Sequence, residues 1–366
     1  MALTAGIVGL PNVGKSTLFN AITKAGALAA NYPFATIDPN VGIVQVPDER
    51  LDKLTELVKP NKTVPTTFEF TDIAGLVRGA SQGEGLGNQF LAHIRQTDAI
   101  CQVVRCFDDK DIMHVDGEVD PIRDIETINL ELIFADMDSV QKRMKKQAKQ
   151  YQMKDKDALI EYPALERLLA AFEAGLAART VELNEPEMKY IKHLSLLTIK
   201  PILYVANVSE EDIASGEDND YVKQVRDFAA AENAEVIVVC AQIEAELSEL
   251  ADEERNEFLA DMGIDESGID KLTHAAYHLL GLGTYFTAGV QEVRAWTFRR
   301  GMKAPECAGI IHSDFERGFI RAEVVAYDDL VINGGEKGAR EAGKYRLEGK
   351  EYEMKDGDVV LFRFNV

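Results

Sequence analysis

The sequence predicts an α/β protein of more than one domain, and three observations support this. An apolar run at the N-terminus, a glycine-rich turn and a helical pattern follow one another directly, as when a buried strand leads into a helix. Two long helical patterns later flank a polar turn. After residue 280 the composition changes to alternating strand patterns. At 366 residues the chain exceeds a single typical core.

The overall charge argues against one class of partner. The formal net charge is −22, whereas a protein that coats nucleic acid nonspecifically needs clustered Lys and Arg. We therefore expect no DNA partner. The charge is uneven, because residues 201–280 carry twenty acidic and four basic side chains while residues 142–156 are locally basic. This distribution is compatible with an RNA-facing surface.

Cysteine usage and hydropathy indicate the compartment. No apolar run approaches the roughly 18 residues that span a bilayer, and the first ten residues lack the charged start and cleavage site of a signal peptide. We expect a cytoplasmic protein without a membrane partner. The cysteines have no common zinc or redox spacing and are expected to be buried thiols in a reducing cytosol. They are Cys101, Cys106, Cys240 and Cys307.

The N-terminal turn has the pattern of a phosphate-binding loop. Residues 3–9 read as a strand, and Gly9-x-x-x-x-Gly14-Lys15-Ser16, followed by Thr17, opens a helix. In such a loop the backbone N–H groups surround the β-phosphate, and glycine lets the backbone approach the anion. Lys15 is expected to bridge the β- and γ-phosphates, and the Ser16 hydroxyl to bind Mg²⁺. The sequence therefore predicts a nucleoside-triphosphate site.

Two further segments complete a nucleotide-dependent switch. NYPFATIDPN supplies Thr36 ahead of the next strand, and TTFEFTDIAG supplies Asp72 and Gly75 at the end of another. Thr36 and Asp72 are predicted to join Ser16 at the Mg²⁺ site, with Asp72 holding a magnesium water. The backbone N–H of Gly75 is predicted to sense the γ-phosphate. Each signal is weak alone, but their order and spacing together are specific.

These segments resemble one family closely. GLPNVGKST, NYPFATIDPN, DIAGLVRGASQGEGLG and NVSE are together similar to the YchF family of Obg-like P-loop ATPases, and the likeness extends over essentially the whole chain. The resemblance implies a Ras-like nucleotide-binding domain with a helical insertion and a C-terminal TGS domain. It also implies ATP in preference to GTP, and association with the ribosome or ribosomal RNA.

The stretch Asn207-Val208-Ser209-Glu210 indicates which base is bound. Guanine-specific relatives read Asn-Lys-x-Asp here, and the Asp accepts two hydrogen bonds from guanine that adenine cannot donate. In this chain the Lys is missing and the carboxylate lies one methylene further out. Asn207 is predicted to present its carbonyl to the 6-amino group of adenine, with the Val208 backbone completing the base contacts. The alternative is that Glu210 only starts the next acidic helix, which is compatible with either base.

A second segment departs from the guanine pattern in the same way. Residues 240–242 read Cys-Ala-Gln where guanine-specific relatives have Ser-Ala-Lys. We therefore predict that the site takes ATP and binds GTP more weakly.

The hydrolytic step lacks the usual glutamine. Ras-type switches place a Gln after Asp-x-x-Gly to orient the attacking water, and here that position is Leu76. Asn12, which with Val13 belongs to the phosphate loop, matches the position at which potassium-activated relatives help to bind K⁺; a turn-forming Asn is the alternative. His114, in the loop after AICQVVRCF, is a candidate for a water relay to the γ-phosphate, and a solvated loop histidine is its alternative.

A helical hairpin is predicted in the middle of the chain. Apolar residues recur at helical spacing on both sides of a polar turn at residues 154–157. They are Ile133, Met137, Val140 and Met144, then Leu165, Leu168, Phe172 and Leu176. The first helix carries a basic run that reads as a solvated face or as an RNA contact. The run comprises Lys142, Arg143, Lys145, Lys146 and Lys149.

The C-terminal segment is predicted to form a small β-grasp domain, which resembles a TGS domain. Strands are expected in TYFTAGVQEVRAWTFRR, a helix in ECAGIIHSDFERGF and a closing hairpin in EGKEYEMKDGDVVLFRFN. Four side chains fit either stacking on RNA or, for the aromatic ones, core packing. They are Trp296, Phe298, Arg299 and Arg300.

These predictions divide the chain into three parts. Residues 1–130 and 201–280 form the P-loop domain, residues 131–200 the helical insertion, and residues 281–366 the TGS domain. The predicted function is a Mg²⁺-dependent ATPase switch that binds the ribosome, with K⁺ as a further candidate cation. The alternatives are an Obg-type GTPase, and a nucleotide-sensing ribosome- or RNA-binding protein whose hydrolysis is incidental.

Overall fold

The computed structural model describes residues 3–28, 40–73, 86–114 and 117–365. The chain forms two compact units, Met1–Val44 with Glu69–Ala276, and Gln45–Phe68 with Tyr277–Val366. Residues 45–68, which the sequence assigned to the P-loop domain, thus belong with the C-terminal residues. The helical insertion, residues 131–200, lies within the first of these units.

The described residues of the two units form twelve strands and fifteen α-helices. The strands are β1 (Thr4–Val8), β2 (Val41–Gln45), β3 (Thr63–Val64), β4 (Thr67–Asp72), β5 (Ala99–Arg105), β6 (Ile202–Asn207), β7 (Glu235–Val239), β8 (Leu282–Ala288), β9 (Val293–Arg299), β10 (Phe319–Ala326), β11 (Arg346–Glu348) and β12 (Asp358–Phe364). The first eight helices are α1 (Lys15–Leu28), α2 (Glu49–Val58), α3 (Leu86–Gln96), α4 (Pro121–Gln152), α5 (Lys156–Glu173), α6 (Glu185–Ile191), α7 (Glu210–Ser215) and α8 (Asp220–Ala231). The later helices are α9 (Ala241–Leu247), α10 (Asp252–Asp261), α11 (Gly268–Leu279), α12 (Ala304–Ile311), α13 (Ser313–Arg317), α14 (Tyr327–Ile332) and α15 (Glu336–Glu341). Short 3₁₀ turns lie at Ala178–Thr180 and Lys192–Leu194.

The first unit is built on a six-stranded sheet of order β2-β4-β1-β5-β6-β7. The pairs β1–β4, β1–β5, β5–β6 and β6–β7 are parallel. Every residue of β5 and β6 is buried, as expected for central strands covered on both faces. Arg105 aligns with Asn207, and Asn207 with Val239, so these strands end level with one another. Their carboxyl ends form the edge at which α/β sheets bind ligands.

The predicted helical hairpin is present. Helix α4 ends at Gln152 and α5 begins at Lys156, and the two pack on each other around a common apolar core. Lys154 takes a positive φ of 58° in the turn, and Asp155 caps α5 by accepting the N–H groups of Asp157 and Ala158. The predicted contribution of Leu176 is wrong, because this side chain lies beyond the end of α5 and is 51% exposed.

The second unit is a six-stranded sheet of order β11-β10-β12-β8-β9-β3, covered by short helices. The pairs β8–β9, β10–β12 and β10–β11 are antiparallel, while β12–β8 and β3–β9 are parallel. This mixed sheet agrees with the predicted β-grasp class. The predicted closing hairpin is wrong, because β11 pairs with β10, a strand that the sequence did not predict, and not with β12.

The helix predicted across residues 306–319 is divided in two. It breaks into α12 and α13 at His312, whose backbone is extended (φ −163°, ψ 140°). The His312 Nδ1 accepts the N–H of Asp314 at 3.1 Å, which caps the second helix.

Two apolar clusters hold the second unit together. Tyr285 and Phe298 lie in one cluster, so Phe298 is a core residue and not a stacking surface. Leu51 and Leu54 of α2 lie in the other, against Phe286 of β8. This contact explains why residues 45–68 join the C-terminal sheet. Trp296 is partly buried against the first cluster, and its indole N–H donates to Thr287.

The four cysteines are buried as free thiols, as predicted. Burial raises the pKa of Cys101 and that of Cys307 to about 12, so both stay protonated at neutral pH. Among the described residues, no helix is long and apolar enough to cross a membrane.

Candidate functional site

The predicted phosphate loop connects β1 to α1 at the carboxyl edge of the first sheet. Gly14 has a φ of 93°, and a Cβ atom there would overlap the side-chain nitrogen of Asn207. A Cβ atom on Gly9 would lie 2.9 Å from a methyl group of Val13 and 3.0 Å from the carbonyl oxygen of Val103. Both glycines are therefore required by close packing, and Gly14 also by its backbone conformation.

Asn207, the last residue of β6, ties the phosphate loop to the opposite side of the site. Its Nδ2 donates to the Val13 carbonyl at 2.9 Å, and its Oδ1 accepts the Ala241 N–H at 2.9 Å. The side chain is buried, with 3% exposed. The Asn207 carbonyl oxygen therefore already accepts one hydrogen bond from the protein backbone. Its second lone pair remains for a further hydrogen bond, because an amide oxygen has two. The structure shows Asn207 joining two walls of the site, and its contact with adenine stays a prediction.

The first turn of α1 follows the phosphate loop directly. The helix begins at Lys15, so the N–H groups of Ser16 and Thr17 lie in the turn that has no intrahelical partner. Both side chains are exposed. A helix N-terminus of this kind attracts a phosphate group through its donors and its dipole.

Lys15 and Asp72 meet at the centre of the site. The Lys15 ammonium, 8% exposed, forms an ion pair with Asp72 Oδ1 at the end of β4. The sequence predicted that Lys15 binds the phosphates and that Asp72 binds at the magnesium site. In the structure the two side chains contact each other. An incoming triphosphate with its cation offers both groups new partners of opposite charge.

The residues fit a magnesium ion that is held mainly by nucleotide and water. The Asp72 carboxylate and the Ser16 hydroxyl are hard oxygen donors, which Mg²⁺ prefers. Within the described ranges, no group of three or more His, Cys, Asp or Glu side chains could hold a metal alone.

His114 is buried, not solvated. It is 6% exposed, and its Nε2 lies 2.8 Å from Asp124 Oδ2 on α4. The expectation of a solvated loop histidine is therefore wrong, because the aspartate holds the ring inside the fold. The catalytic role of His114 stays a prediction, and it requires the ring to leave Asp124 or to act through water.

A cavity of about 890 Å³ opens beside the phosphate loop. This size suits a small-molecule ligand. Its walls come from the phosphate loop, the loop after β5, the residues after β6 and the start of α9. The lining residues are Asn12, Gly14, Thr17, Phe107, Asp108, Asp109, Ile112, Asn207, Val208, Ser209, Glu210, Glu211, Cys240, Ala241, Gln242, Ala245, Glu246 and Glu249.

The predicted base-reading stretch lies in this wall. The Val208 side chain is buried, and its N–H donates to the Val239 carbonyl at 2.9 Å. Ser209 caps α7 by accepting the N–H of Asp212 at 3.2 Å. Glu210 is the first residue of α7 and is exposed at the cavity. It therefore starts an acidic helix and also lines the cavity, so the two interpretations of this residue are compatible.

The start of α9 forms the neighbouring wall. Cys240 lines the cavity, and burial raises the pKa of its thiol, which is consequently neutral at pH 7. The buried Glu244 anchors the helix from behind by accepting the N–H groups of Gly268 at 2.7 Å and Ile269 at 3.2 Å. Burial raises the pKa of this carboxyl group as well.

The loop after β5 is the wall that the sequence did not predict. Phe107 and Ile112 supply its apolar part, and Asp108 accepts the hydroxyl of Tyr221 at 3.0 Å. The charged Arg105 closes an otherwise uncharged strand, and this is the one local signal that the loop has special requirements. Asn12 of the phosphate loop donates to the Met113 carbonyl at 3.1 Å, so the two loops are bonded together.

Three of the predicted residues lie outside the described residues. They are Thr36, Gly75 and Leu76. Their predicted roles in the magnesium site, in sensing the γ-phosphate and in the loss of the catalytic glutamine stay predictions.

Comparison with known proteins identifies the family. Residues 4–160 match a family model described as "50S ribosome-binding GTPase", and residues 282–365 match YchF-GTPase_C, described as "Protein of unknown function (DUF933)". The chain is 69% identical over 366 residues to the protein of Bacillus subtilis called ribosome-binding ATPase YchF, covering all of both chains. This chain belongs to the YchF family. A protein of the same name from Escherichia coli O157:H7 is 54% identical, again over all of both chains.

Solved structures agree with this placement in the YchF family. The Schizosaccharomyces pombe YchF GTPase is 41% identical, with a TM-score of 0.88, and the match covers 99% of this chain and 97% of that one. A GTP-binding protein from Pyrococcus horikoshii is 20% identical, with a TM-score of 0.60, and covers 99% of this chain and 100% of its own. The second likeness shows a shared fold only. The predicted YchF resemblance and its fold class are confirmed.

Proposed function

We propose that this chain is an ATP-hydrolysing switch protein that binds the ribosome. The observation that carries the proposal is the convergence of the phosphate loop, Lys15 and Asp72 on one edge of the sheet, beside a cavity of nucleotide size. The curated relatives of the same length are called ribosome-binding ATPases, which supports both halves of the proposal.

The choice of ATP over GTP rests on the base wall. The curated relatives are called ATPases, whereas the Schizosaccharomyces pombe relative is called a GTPase, so names alone do not decide the base. Val208, a buried apolar residue, occupies the position of the lysine of guanine-specific sites. Glu210 carries its carboxylate one methylene further than aspartate would. Both differences remove contacts that guanine needs and that adenine does not.

Hydrolysis by this site requires a divalent cation bound with the nucleotide. Ser16 and Asp72, with Thr36 from outside the described residues, are the residues that would hold magnesium, and the cation would supply positive charge to offset the charge on the phosphates. Lys15 leaves Asp72 for the β- and γ-phosphates, and Gly75 donates its N–H to the γ-phosphate. The amide nitrogen of Asn12 is engaged with Met113, which leaves its oxygen as the proposed K⁺ ligand.

Calorimetric titration of the full chain with ATP and GTP in magnesium tests the nucleotide proposal. ATP is expected to bind at least about tenfold more tightly, a difference of about 1.4 kcal/mol. Equal affinities would contradict the proposed preference for ATP, and tighter binding of GTP would favour the alternative of an Obg-type GTPase. Loss of ATP binding on chelation of magnesium is expected in the same assay.

The helical hairpin is the proposed ribosome-docking element. Lys145, Lys146 and Lys149 are exposed on α4. Arg143, by contrast, is engaged inside the hairpin, where its guanidinium donates to both oxygens of the buried Glu161 at 2.6 and 2.9 Å. The part of the predicted basic run that is proposed to face RNA therefore consists of Lys145, Lys146 and Lys149, without Arg143. Exposed lysines bind phosphate groups by releasing counterions, so binding through them weakens as salt rises.

Co-sedimentation with ribosomes over a range of salt concentrations tests this surface. Reversal of Lys145, Lys146 and Lys149 to Glu is expected to weaken pelleting and to lower the salt slope by about three, one per lost phosphate contact. Reversal of Lys189, Lys192 and Lys223 to Glu is the matched control, because these exposed lysines of the first unit give the same change in net charge. Intact pelleting of the hairpin variant would place the docking surface elsewhere.

A further inference from the structure

A buried arginine holds the unpredicted wall of the site. Arg105, the last residue of β5, is 1% exposed. Its guanidinium donates to three carbonyl groups: Phe107 at 3.1 Å, Ile112 at 3.0 Å and Asp109 at 3.2 Å. It also lies 4.8 Å from the centre of the Phe107 ring. One side chain thus bonds the start, the middle and the end of the segment that we call the 107–113 loop.

The partners of Arg105 are unusual for a buried cation. Removing a charge from water costs several kcal/mol, and proteins usually offset this cost with a carboxylate. Within the described part of the chain, all three hydrogen bonds of Arg105 end on backbone carbonyls of the same loop. A guanidinium is planar and rigid, so it fixes several acceptors relative to one another, which a lysine cannot do. The position of Arg105 therefore determines the conformation of the loop.

The 107–113 loop connects the two ends of the candidate site. Phe107, Asp108, Asp109 and Ile112 line the cavity opposite the residues that follow β6. At its far end, the Met113 carbonyl accepts Asn12 of the phosphate loop. Arg105 thus fixes the backbone of the 107–113 loop, and the Asn12–Met113 hydrogen bond holds this loop against the phosphate loop.

We propose that Arg105 is a positioning residue for the nucleoside part of the bound nucleotide. It shapes the 107–113 loop before the ligand arrives, so that Phe107 and Ile112 present an apolar wall to the nucleoside. Pre-organisation of this kind increases affinity because the ligand does not have to order the loop. The triphosphate is expected to depend on Arg105 much less, because the phosphate loop binds it with its own backbone N–H groups and touches the 107–113 loop through the Asn12–Met113 hydrogen bond. The inference rests on the proposed function, since it assumes a nucleotide in this cavity.

The test compares two ligands that share the phosphate end only. The full-length Arg105→Lys and Arg105→Met variants are titrated with ATP and with inorganic tripolyphosphate. ATP affinity is expected to fall at least about tenfold, or about 1.4 kcal/mol, while tripolyphosphate affinity stays within about twofold of wild type. Arg179→Met is the matched control, because Arg179 is also largely buried and donates to Glu232 at 2.8 Å and to the Thr198 carbonyl at 3.3 Å. It is expected to leave both affinities unchanged.

Two outcomes would overturn the inference. One is wild-type ATP affinity in a folded Arg105→Met variant, and the other is an equal loss of affinity for ATP and tripolyphosphate, which indicates general damage to the fold. If wild type binds tripolyphosphate but neither ATP nor GTP, the proposed function itself fails, and this result is visible before any variant is made.

A measurement on the wild-type protein needs no variant to fold. Backbone order parameters of residues 108–113 are measured by NMR without nucleotide and with ATP. If Arg105 pre-organises the loop, the values without nucleotide are already those of rigid backbone, about 0.85, and ATP changes them little. Values below about 0.6 that rise only when ATP is added would show that the ligand orders the loop, which contradicts the inference.

Discussion

The phosphate end and the base end of the candidate site are built in different ways. The phosphate end comes from one stretch, residues 9–17, whose backbone N–H groups and glycines act locally. The base end comes from separate segments after β5, after β6 and at the start of α9. A contiguous motif therefore specifies where the phosphates bind, whereas the identity of the base depends on contacts between distant parts of the chain. The two ends should respond differently to substitution.

The largest effect is expected at the phosphate end. Lys15→Ala should weaken ATP binding at least about 100-fold, about 3 kcal/mol, because it removes charged hydrogen bonds to the phosphates. Isothermal titration with ATP measures this change. Lys223→Ala is the control, since its ammonium forms an exposed ion pair with Asp220 at 3.2 Å, and the residue does not line the cavity. An affinity within twofold of wild type for Lys15→Ala would show that this lysine does not bind the phosphates and that the phosphate end is not the more sensitive end of the site.

A smaller effect is expected at the catalytic step. His114→Ala should lower kcat about tenfold and leave the KM for ATP near wild type, the pattern of an interaction that is made in the transition state. Steady-state ATP hydrolysis measures both constants. His274→Ala is the control, because it removes another histidine beside a carboxylate, with Nδ1 2.8 Å from Glu266. Unchanged kcat would leave His114 as a structural partner of Asp124 only.

The dependence on K⁺ tests the other helper at the phosphate end. Replacing K⁺ by Na⁺ should lower turnover about fivefold if the Asn12 oxygen helps to hold K⁺ near the phosphates, where a cation stabilises the developing charge. Hydrolysis is measured in the two salts at equal ionic strength, for wild type and for Asn12→Ala. The variant should show no difference between the salts. Indifference of the wild type to the cation excludes Asn12 from this role.

The smallest effect is expected at the base end. Glu210→Asp should improve GTP binding only about threefold, or about 0.7 kcal/mol, because Val208 still stands where guanine-specific sites have a lysine. Competition between GTP and ATP measures the change. Glu217→Asp makes the same chemical change at an exposed residue just beyond α7 that does not line the cavity, and it is expected to be neutral. If this single substitution made the protein prefer GTP, the choice of base would depend on one short segment, as phosphate binding does, and not on contacts between distant segments.

The sequence predicts local features well and long-range pairing poorly. The phosphate loop and the hairpin turn near Lys154 are set by neighbouring residues, and the structure contains both. The pairing of β11 with β10 is decided by packing across the second sheet, and sequence spacing favoured the wrong partner. Arg105 shows the same limit within the site, since nothing beside it in the sequence reveals that its partners are the carbonyls of its own loop. The burial of His114 depends likewise on Asp124.

The contribution of residues 45–68 to the C-terminal sheet has a consequence for synthesis on the ribosome. Strand β3 pairs with β9, and Leu51 and Leu54 of α2 pack in the core of the second unit. These residues leave the ribosome more than 200 residues before their partners. At typical rates of translation they wait for about 10 to 40 seconds. During that interval the apolar face of α2 is open to chaperones, and a nascent chain that stalls before residue 277 exposes it for longer.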